Sequence, residues 1–229
     1  MENEPVTAIF FSCRRHEILK RTIDAFVAAN TYPIQEMIIV NNSGDVNIHN
    51  ILRQQYPNYT LVLHPENVGL FKSIDLGYAH IRTEYFFHSE DDWMCNGKGG
   101  FIEKSLVVMK ARPDVEEVWL ADMNDHPIAD GLYQAGDVQY RLMAQNYLQG
   151  ADGPNGWHGF TTAIALKRMS DYRKVAPYAD IPWECTIWHR EQAIGEEYHK
   201  LGYCSAILMD EYVVNIGHGQ REYITGYEK

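Results

Sequence analysis

The stretch YFFHSEDDW, residues Tyr85–Trp93, decides how the rest of the sequence is interpreted. Its first half is an aromatic run of the kind that forms a buried β-strand. Its second half holds three consecutive carboxylates, Glu90, Asp91 and Asp92, whose like charges repel and need solvent or a partner. A divalent cation is a favourable partner for clustered carboxylates. A solvated acidic turn after a core strand is the alternative.

Strands and helices alternate along the first half of the chain. Apolar runs of strand length begin near Val6, Met37, Thr60 and Tyr85, and segments with apolar residues at helical spacing separate them. Such alternation predicts an α/β fold with a mostly parallel central sheet flanked by helices on both faces. Several loops that follow the strands should meet at one sheet edge, where such folds bind ligands. These loops are 12–16, 41–45, 67–70 and 90–93.

The second half of the chain is less regular. The elements expected there are helices at 101–109, 167–172 and 191–201 and strands at 115–122, 160–166 and 203–209. Between residues 123 and 158 the periodicity fails and glycines are frequent. A stretch of that kind indicates either a binding loop or elements that the pattern does not reveal. No repeat or linker divides the chain, which predicts a single domain over 1–229.

Composition excludes several classes of function. The 229 residues are 45% hydrophobic, which is enough to form a core. The formal net charge is −11, and the sequence has no basic stripe that would bind nucleic acid. Nucleotides remain possible, because backbone amides, local cations and a metal can hold them. No stretch approaches the roughly 20 apolar residues of a membrane span. The four cysteines lack CxxC spacing, which favours reduced thiols in a cytoplasmic protein and argues against a zinc site.

Five short motifs follow one another along the chain. They are VNNSG at 40–44, NVG at 67–69, EDD at 90–92, RE at 190–191 and IGHG at 216–219. In this order they resemble the motifs of GT-A glycosyltransferases, especially the family 2-like members, which transfer a sugar from a nucleotide-sugar donor. Two departures from the usual pattern matter. Asn41 replaces an acidic residue that contacts the base, and Arg190-Glu191 stands where the family has a Glu-Asp pair.

The resemblance implies a bound Mn²⁺ or Mg²⁺ at the acidic cluster. Asp92, together with Asp91, would hold the ion where it bridges the donor's diphosphate, because a hard cation stabilises the charge on the leaving group. His218 is a further candidate metal ligand or diphosphate contact. The alternative for His218 is a histidine in a flexible glycine-rich tail.

Glu191 is the candidate catalytic residue that the resemblance implies. It would act as general base for an inverting transfer, taking a proton from the acceptor hydroxyl. Glu184 is the substitute candidate. The alternative for Glu191 is a carboxylate near a helix N-terminus that interacts favourably with the helix dipole.

The donor pocket would be lined by residues of the strand-end loops. Arg14 could pair with a phosphate bidentately, whereas Arg15 is expected to be solvated. Asn41 and Asn42 could contact the base or ribose, and turn formation alone would also explain them. The full set expected to bind the donor is Thr7, Phe11, Ser12, Arg14, Asn41, Asn42, Asn67, Gly69 and Asp91.

A few residues are candidates for sugar or acceptor contacts. Trp93, Trp157 and His158 could stack on sugar faces, although internal packing is the alternative for each. Asp122 and Asp125 could contact the acceptor.

The resemblance therefore implies metal-dependent transfer of a hexose or N-acetylhexosamine from a nucleotide-diphosphate sugar. UDP is the expected nucleotide, because it is the usual one in the family. The acceptor would be the hydroxyl of a glycan, a lipid-linked molecule or a small molecule. Residues 1–95 would bind the nucleotide and residues 96–229 the acceptor. A nucleotidyltransferase of similar sheet topology remains an alternative, although residues 10–16 contain no glycine for a phosphate loop. A non-catalytic nucleotide- or carbohydrate-binding protein is another, and the oligomeric state is open.

Overall fold

The computed structural model describes residues 3–121, 127–145, 156–183 and 187–217, and only the backbone of 187–189. The strands are β1 (Val6–Ser12), β2 (Ile34–Asn41), β3 (Thr60–Leu63), β4 (Tyr85–Glu90), β5 (Trp93–Cys95), β6 (Val115–Trp119), β7 (Tyr133–Ala135), β8 (Val138–Leu142), β9 (Ile164–Arg168), β10 (Cys204–Leu208) and β11 (Val213–Asn215). The helices are α1 (His16–Ala29), α2 (Val46–Gln55), α3 (Leu70–Tyr78), α4 (Phe101–Ala111), α5 (Met169–Val175) and α6 (Ile187–Lys200).

Nine strands form one large sheet in the order β3-β2-β1-β4-β9-β6-β10-β8-β7. The first four in this order are parallel neighbours. In the described part of this sheet, β8 and β9 run against the other strands. The prediction of one α/β domain with a mostly parallel central sheet is confirmed.

The core lies on both faces of the sheet. Strand β1 is buried along its whole length, as expected for a strand with helices on either side. Phe10 packs on one face against Phe26 of α1, with ring centroids 5.3 Å apart. Phe11 packs on the other face against Tyr78 of α3, at 6.0 Å. The two faces therefore position α1 and α3 on opposite sides of the strand whose end leads into the site.

The irregular region between residues 123 and 158 contains two strands that the periodicity did not reveal. Strands β7 and β8 form a hairpin joined by Gly136 and Asp137. Gly136 has a φ of 58°, a left-handed conformation that two-residue hairpin turns require and that glycine adopts without strain. A Gly-Asp pair between short strands is a recognised hairpin signal, so the sequence did carry the information.

A second, two-stranded sheet joins distant parts of the chain. Strand β11 pairs antiparallel with β5, and Asn215 lies opposite Trp93. This pairing brings the C-terminal motif to the residues that directly follow the acidic cluster. None of the helices in the described part of the chain is long and apolar enough to cross a membrane.

Candidate functional site

Three parallel strands end side by side at the predicted edge of the sheet. Ser12, the last residue of β1, pairs with Asn41, the last residue of β2. On the other side of β1, Phe11 pairs with Glu90, the last residue of β4. The Asn42 N–H donates to the Ser12 carbonyl at 2.9 Å. The loops after these strands therefore surround one site.

The two aspartates of the acidic cluster are bound by Arg15. The Arg15 guanidinium donates from Nε to Asp91 Oδ2 at 3.2 Å and from a terminal nitrogen to Asp92 Oδ2 at 3.0 Å. Its other terminal nitrogen contacts Asp91 Oδ1. The expectation of a solvated Arg15 is therefore wrong. The start of α1 places this side chain directly over the carboxylates, where two buried charges attract a cation.

Arg15 does not remove the mutual repulsion among the carboxyl groups of the acidic cluster. Asp91 is 1% exposed and Asp92 is 6% exposed. Burial raises the pKa of Asp91 to about 7, although the charge of Arg15 opposes the shift. Burial also raises the pKa of Glu90 well above its usual range, and the charges of Asp92 and Glu191 add to the effect. An additional cation would relieve this repulsion.

The cluster can accept a divalent cation through Asp92. Its Oδ1 is buried and has no hydrogen-bond partner within the described residues, so one carboxylate oxygen is available to a ligand. The described part of the chain holds no group of three or more side chains suited to bind a metal. Further ligands would therefore come from a diphosphate, from water or from outside the described ranges.

Ile216 and Gly217, the two described residues after β11, lie against the acidic cluster. The Ile216 N–H donates to the Asp92 carbonyl at 2.8 Å. The next residue, Gly217, lies so close that a Cβ there would stand 2.8 Å from Asp92 Cγ. His218 lies outside the described residues, and its role as a ligand stays a prediction.

Asn42 joins the loops after β2 and β3. Its Nδ2 donates to Asn67 Oδ1 and to the Gly69 carbonyl, both at 3.1 Å, while its Oδ1 accepts from the Val68 N–H at 2.9 Å. Asn67 Oδ1 also accepts from the Gly69 N–H at 2.9 Å. The structure thus brings Asn42, Asn67 and Gly69 together as predicted, and they shape the loop that opens α3.

Two buried polar groups lie at the ends of β1 and β2. Asn41 Oδ1 accepts from the Ser43 N–H and hydroxyl, at 3.2 and 2.5 Å. Asn41 Nδ2 and Ser12 Oγ are both buried, and the Ser12 hydroxyl lies near Asp91, where it helps to lower the pKa of that carboxyl group. Asn41 Nδ2 has no hydrogen-bond partner in the described part of the chain, and buried polar groups are rarely left unpaired in folded proteins. Asn41 Nδ2 is therefore available to a ligand or to water at this edge.

The other candidates for the donor pocket differ in position. Arg14 is exposed at the same edge, with a φ of 63° that forms the sharp turn into α1. Phe11 is buried in the core, where its ring stacks on His88 at 4.8 Å. Thr7 lies near the opposite end of β1 and bonds to Thr83 Oγ1 at 2.9 Å. The structure does not bring Thr7 to the site, because a strand rises about 3.3 Å per residue.

Glu191 lies on α6 and is held by one residue. Its Oε1 accepts from the Thr162 N–H and from the Thr162 hydroxyl, each at 2.7 Å. The side chain is 8% exposed. Burial raises the pKa of Glu191, and the two bonds from Thr162 oppose the shift. Because Glu191 raises the pKa of Glu90, the candidate base and the acidic cluster belong to one electrostatic environment.

Comparison with known proteins identifies the family of this chain. The model of the family described as glycosyl transferase family 2 matches residues 7–169. The chain belongs to this family. The resemblance identified from the sequence motifs is thereby confirmed.

Two solved structures share the fold of this family 2 member. One is S. aureus TarS 1-349, with a TM-score of 0.57 and 12% identity over 91% of this chain and 59% of that chain. The other is the mannosyltransferase PcManGT from Pyrobaculum calidifontis in complex with GDP-Man and Mn²⁺, with a TM-score of 0.55 and 13% identity over 87% and 53%. The chain thus spans between half and two thirds of each of these structures. No curated protein matches it.

In this family 2 member, the described contacts of Arg190 join α6 to α3 and to residues 178–179 and do not include the acidic cluster. One of its terminal nitrogens donates to the Tyr178 carbonyl at 3.0 Å and also contacts the Ala179 carbonyl. Its guanidinium carbon lies 4.8 Å from the centroid of the Phe71 ring. The departure from the family's Glu-Asp pair therefore leaves Glu191 as the acidic member. Glu184, the substitute candidate, lies outside the described residues.

The aromatic candidates for sugar stacking pack internally. Trp157 Nε1 donates to the Phe160 carbonyl at 3.0 Å. His158 stacks on His199 at 4.1 Å and lies 2.9 Å from Glu196 Oε2. Trp93 is part of β5. The candidates Asp122 and Asp125 for acceptor contacts lie outside the described residues.

Sequence reasoning missed two residues of this site. Arg15 was expected to be solvated, since two adjacent arginines precede α1 and only the turn at Arg14 decides which one points to the carboxylates. Thr162 lies far from Glu191 in the sequence and in no motif, so no local signal could have linked them. Both residues reach the site through tertiary contacts, Arg15 with the aspartates and Thr162 with Glu191.

Proposed function

We propose that this family 2 member is a metal-dependent glycosyltransferase that moves a sugar from a nucleotide-diphosphate sugar to an acceptor hydroxyl with inversion. The observation that carries the proposal is the juxtaposition at the sheet edge. A buried acidic pair with a free oxygen on Asp92 shares its electrostatic environment with the buried carboxylate of Glu191. At such a site the acidic pair can bind the metal while the separate carboxylate of Glu191 accepts a proton.

The acidic cluster would hold the cation and the diphosphate end of the donor. Asp92, through its free Oδ1, and Asp91 would bind Mn²⁺ or Mg²⁺, and His218 would add a ligand. When bound, the cation supplies positive charge that stabilises the leaving nucleoside diphosphate. The complex of the archaeal mannosyltransferase with GDP-Man and Mn²⁺ supports this assignment. Arg14, exposed at the same edge, would pair with a phosphate.

Glu191 would take the proton from the acceptor. The acceptor oxygen forms a bond to the anomeric carbon while the bond from that carbon to the phosphate oxygen breaks, and the hydroxyl proton passes to Glu191. Thr162 occupies Oε1, so Oε2 is the oxygen that would accept the proton. A raised pKa makes the carboxylate a stronger base near neutral pH.

Donor and acceptor would occupy different halves of the chain. Ser12, Asn41 and the Asn42 loop belong to residues 1–95, which would bind the nucleotide, and Glu191 belongs to residues 96–229, which would bind the acceptor. UDP is the nucleotide we test first, with a hexose or N-acetylhexosamine as sugar and a glycan, lipid-linked or small-molecule acceptor. A cytoplasmic location is part of the proposal and rests on the sequence, whose four cysteines lack CxxC spacing.

The proposal is tested by a panel of nucleotide sugars incubated with the protein in Mn²⁺ or in EDTA. We expect thermal stabilisation by one donor class and slow release of nucleoside diphosphate that requires the metal. The Asp92→Ala variant should lose that release, and full activity in this variant at limiting metal would contradict the proposal. Release of pyrophosphate would indicate a nucleotidyltransferase. Binding without any turnover would indicate a non-catalytic protein.

A further inference from the structure

Within the described residues, the hydrogen bonds to the Glu191 carboxylate all go to one oxygen, Oε1. Both donors to Oε1 come from Thr162, one from its backbone and one from its side chain. The contact is buried, with Thr162 at 5% and Glu191 at 8% exposure. Two donors on the same oxygen restrict how the carboxylate can rotate and leave the second oxygen for another partner.

Thr162 is itself held in place by His88, a histidine of the central sheet. The Thr162 carbonyl lies 2.6 Å from His88 Nε2, and a carbonyl can only accept, so Nε2 carries the proton. The other nitrogen, Nδ1, then accepts from the Tyr78 hydroxyl at 2.8 Å. His88 is fully buried, and burial lowers its pKa to about 3, which keeps this single-proton form at neutral pH.

The preceding residue, Thr161, is anchored by a buried ion pair. Its N–H donates to Glu117 Oε1 at 2.8 Å and its carbonyl accepts from Lys167 Nζ at 2.7 Å. Lys167 and Glu117 also contact each other. Every backbone polar group of the two threonines is thus bound, which makes this segment a rigid support.

We propose that Thr162 is a positioning residue that orients the Glu191 carboxylate toward the acceptor hydroxyl. The hydrogen bonds that join Tyr78, His88 and Thr162 hold Thr162 in a fixed position on the sheet. The inference rests on the proposed function of Glu191 as the base. Geometry within a few tenths of an ångström matters for such a group, because small misplacements of a catalytic side chain lower the rate strongly.

The test compares two substitutions of the same residue. Thr162→Val keeps the shape but removes the hydroxyl donor, and Thr162→Ser keeps the donor. We expect kcat to fall about tenfold or more in Thr162→Val, the loss of one hydrogen bond to a charged group. The KM for the donor should remain near the wild-type value, and Thr162→Ser should retain most of kcat. Thr161→Val is the matched control, since the Thr161 hydroxyl accepts from the Ala163 N–H and does not touch Glu191.

A double-variant cycle separates positioning from a general structural effect. In a Glu191→Gln background, adding Thr162→Val should cause no further loss of turnover, because the residue acts through Glu191. An additional loss of similar size there, or a wild-type kcat in Thr162→Val alone, would overturn the inference. If Thr162→Val fails to fold, Thr162→Ala removes the same donor with less bulk and carries the same test.

The Glu191→Gln and Thr162 variants distinguish a failure of the proposed base from a failure of the proposed positioning residue. If Glu191→Gln keeps full turnover, Glu191 is not the base, and the proposed role of Glu191 falls together with that of Thr162. If Glu191→Gln is inactive while Thr162→Val and Thr162→Ala are fully active, only the positioning role is wrong.

Discussion

Gly217 lies directly against the side chain of Asp92, so that a Cβ at residue 217 would stand 2.8 Å from Asp92 Cγ and 2.9 Å from its Cβ. The contact is held by the Ile216 N–H, which donates to the Asp92 carbonyl, and by the pairing of β11 with β5. Ile216 and Gly217 are therefore one wall of the candidate metal site.

The Gly217→Ala variant should disturb that wall. The added methyl group cannot fit beside Asp92 unless the segment or the carboxylate shifts, so we expect Mn²⁺-dependent binding of nucleoside diphosphate to weaken about tenfold or more. Isothermal titration calorimetry with Mn²⁺ and UDP or GDP measures the change. Gly195→Ala is the control for a methyl group added at a crowded glycine elsewhere, because its Cβ would meet Phe160 Cβ at 3.3 Å and not Asp92. Unchanged binding in Gly217→Ala would show that the segment does not limit the site.

Arg15 should compete with the metal for the aspartates. Its guanidinium binds both Asp91 and Asp92, so replacing it removes the resident cation from the cluster. We expect Arg15→Met to bind Mn²⁺ more tightly in the absence of nucleotide and to melt at a lower temperature without metal. Arg21→Met, an exposed position on α1, controls for the change in net charge. Weaker Mn²⁺ binding in Arg15→Met would mean that Arg15 supports the metal site.

Glu191 should make stability depend on pH. Its pKa is raised by burial, so its contribution to stability is present at low pH and is lost as the pH rises through the folded-state pKa. Glu191→Gln keeps an oxygen for Thr162 but carries no charge. We therefore expect this variant to be more stable than the wild type at about pH 8 and to lose that advantage toward about pH 4. Urea unfolding across this range measures it. A difference between the two proteins that is independent of pH would contradict the explanation.

The buried Lys167–Glu117 ion pair, which binds the backbone of Thr161, should be essential for the stability of the fold. Lys167 is 3% exposed and Glu117 is fully buried. Lys167→Met leaves a buried carboxylate without its cation, so we expect the free energy of unfolding to fall by about 3–5 kcal/mol. The double variant Glu117→Gln with Lys167→Met removes both charges and should recover part of the loss. Denaturant unfolding tests both, and wild-type stability in Lys167→Met would refute the role of the pair.

Strands and helices of the first half were predictable because each has a strong local pattern. The apolar run at Val6 became β1, and the segment at Thr60 became β3, which begins at the predicted residue. The hairpin of β7 and β8 was missed although its Gly136–Asp137 turn was visible, because both strands are short and partly exposed. The antiparallel course of β9 between β4 and β6 could not be predicted, since strand direction depends on how the chain crosses the sheet.

The sequence by itself determined the alternation of elements, the ends of the strands and the carboxylates that follow β4, because these depend on residues close together in the chain. Only the tertiary structure decided that Arg15 binds the aspartates, that Thr7 contacts Thr83 and that Thr162 holds Glu191. Those contacts join residues that are distant in sequence. Their geometry is set by the register of the sheet and by the packing of α1 and α6, for which no local pattern codes.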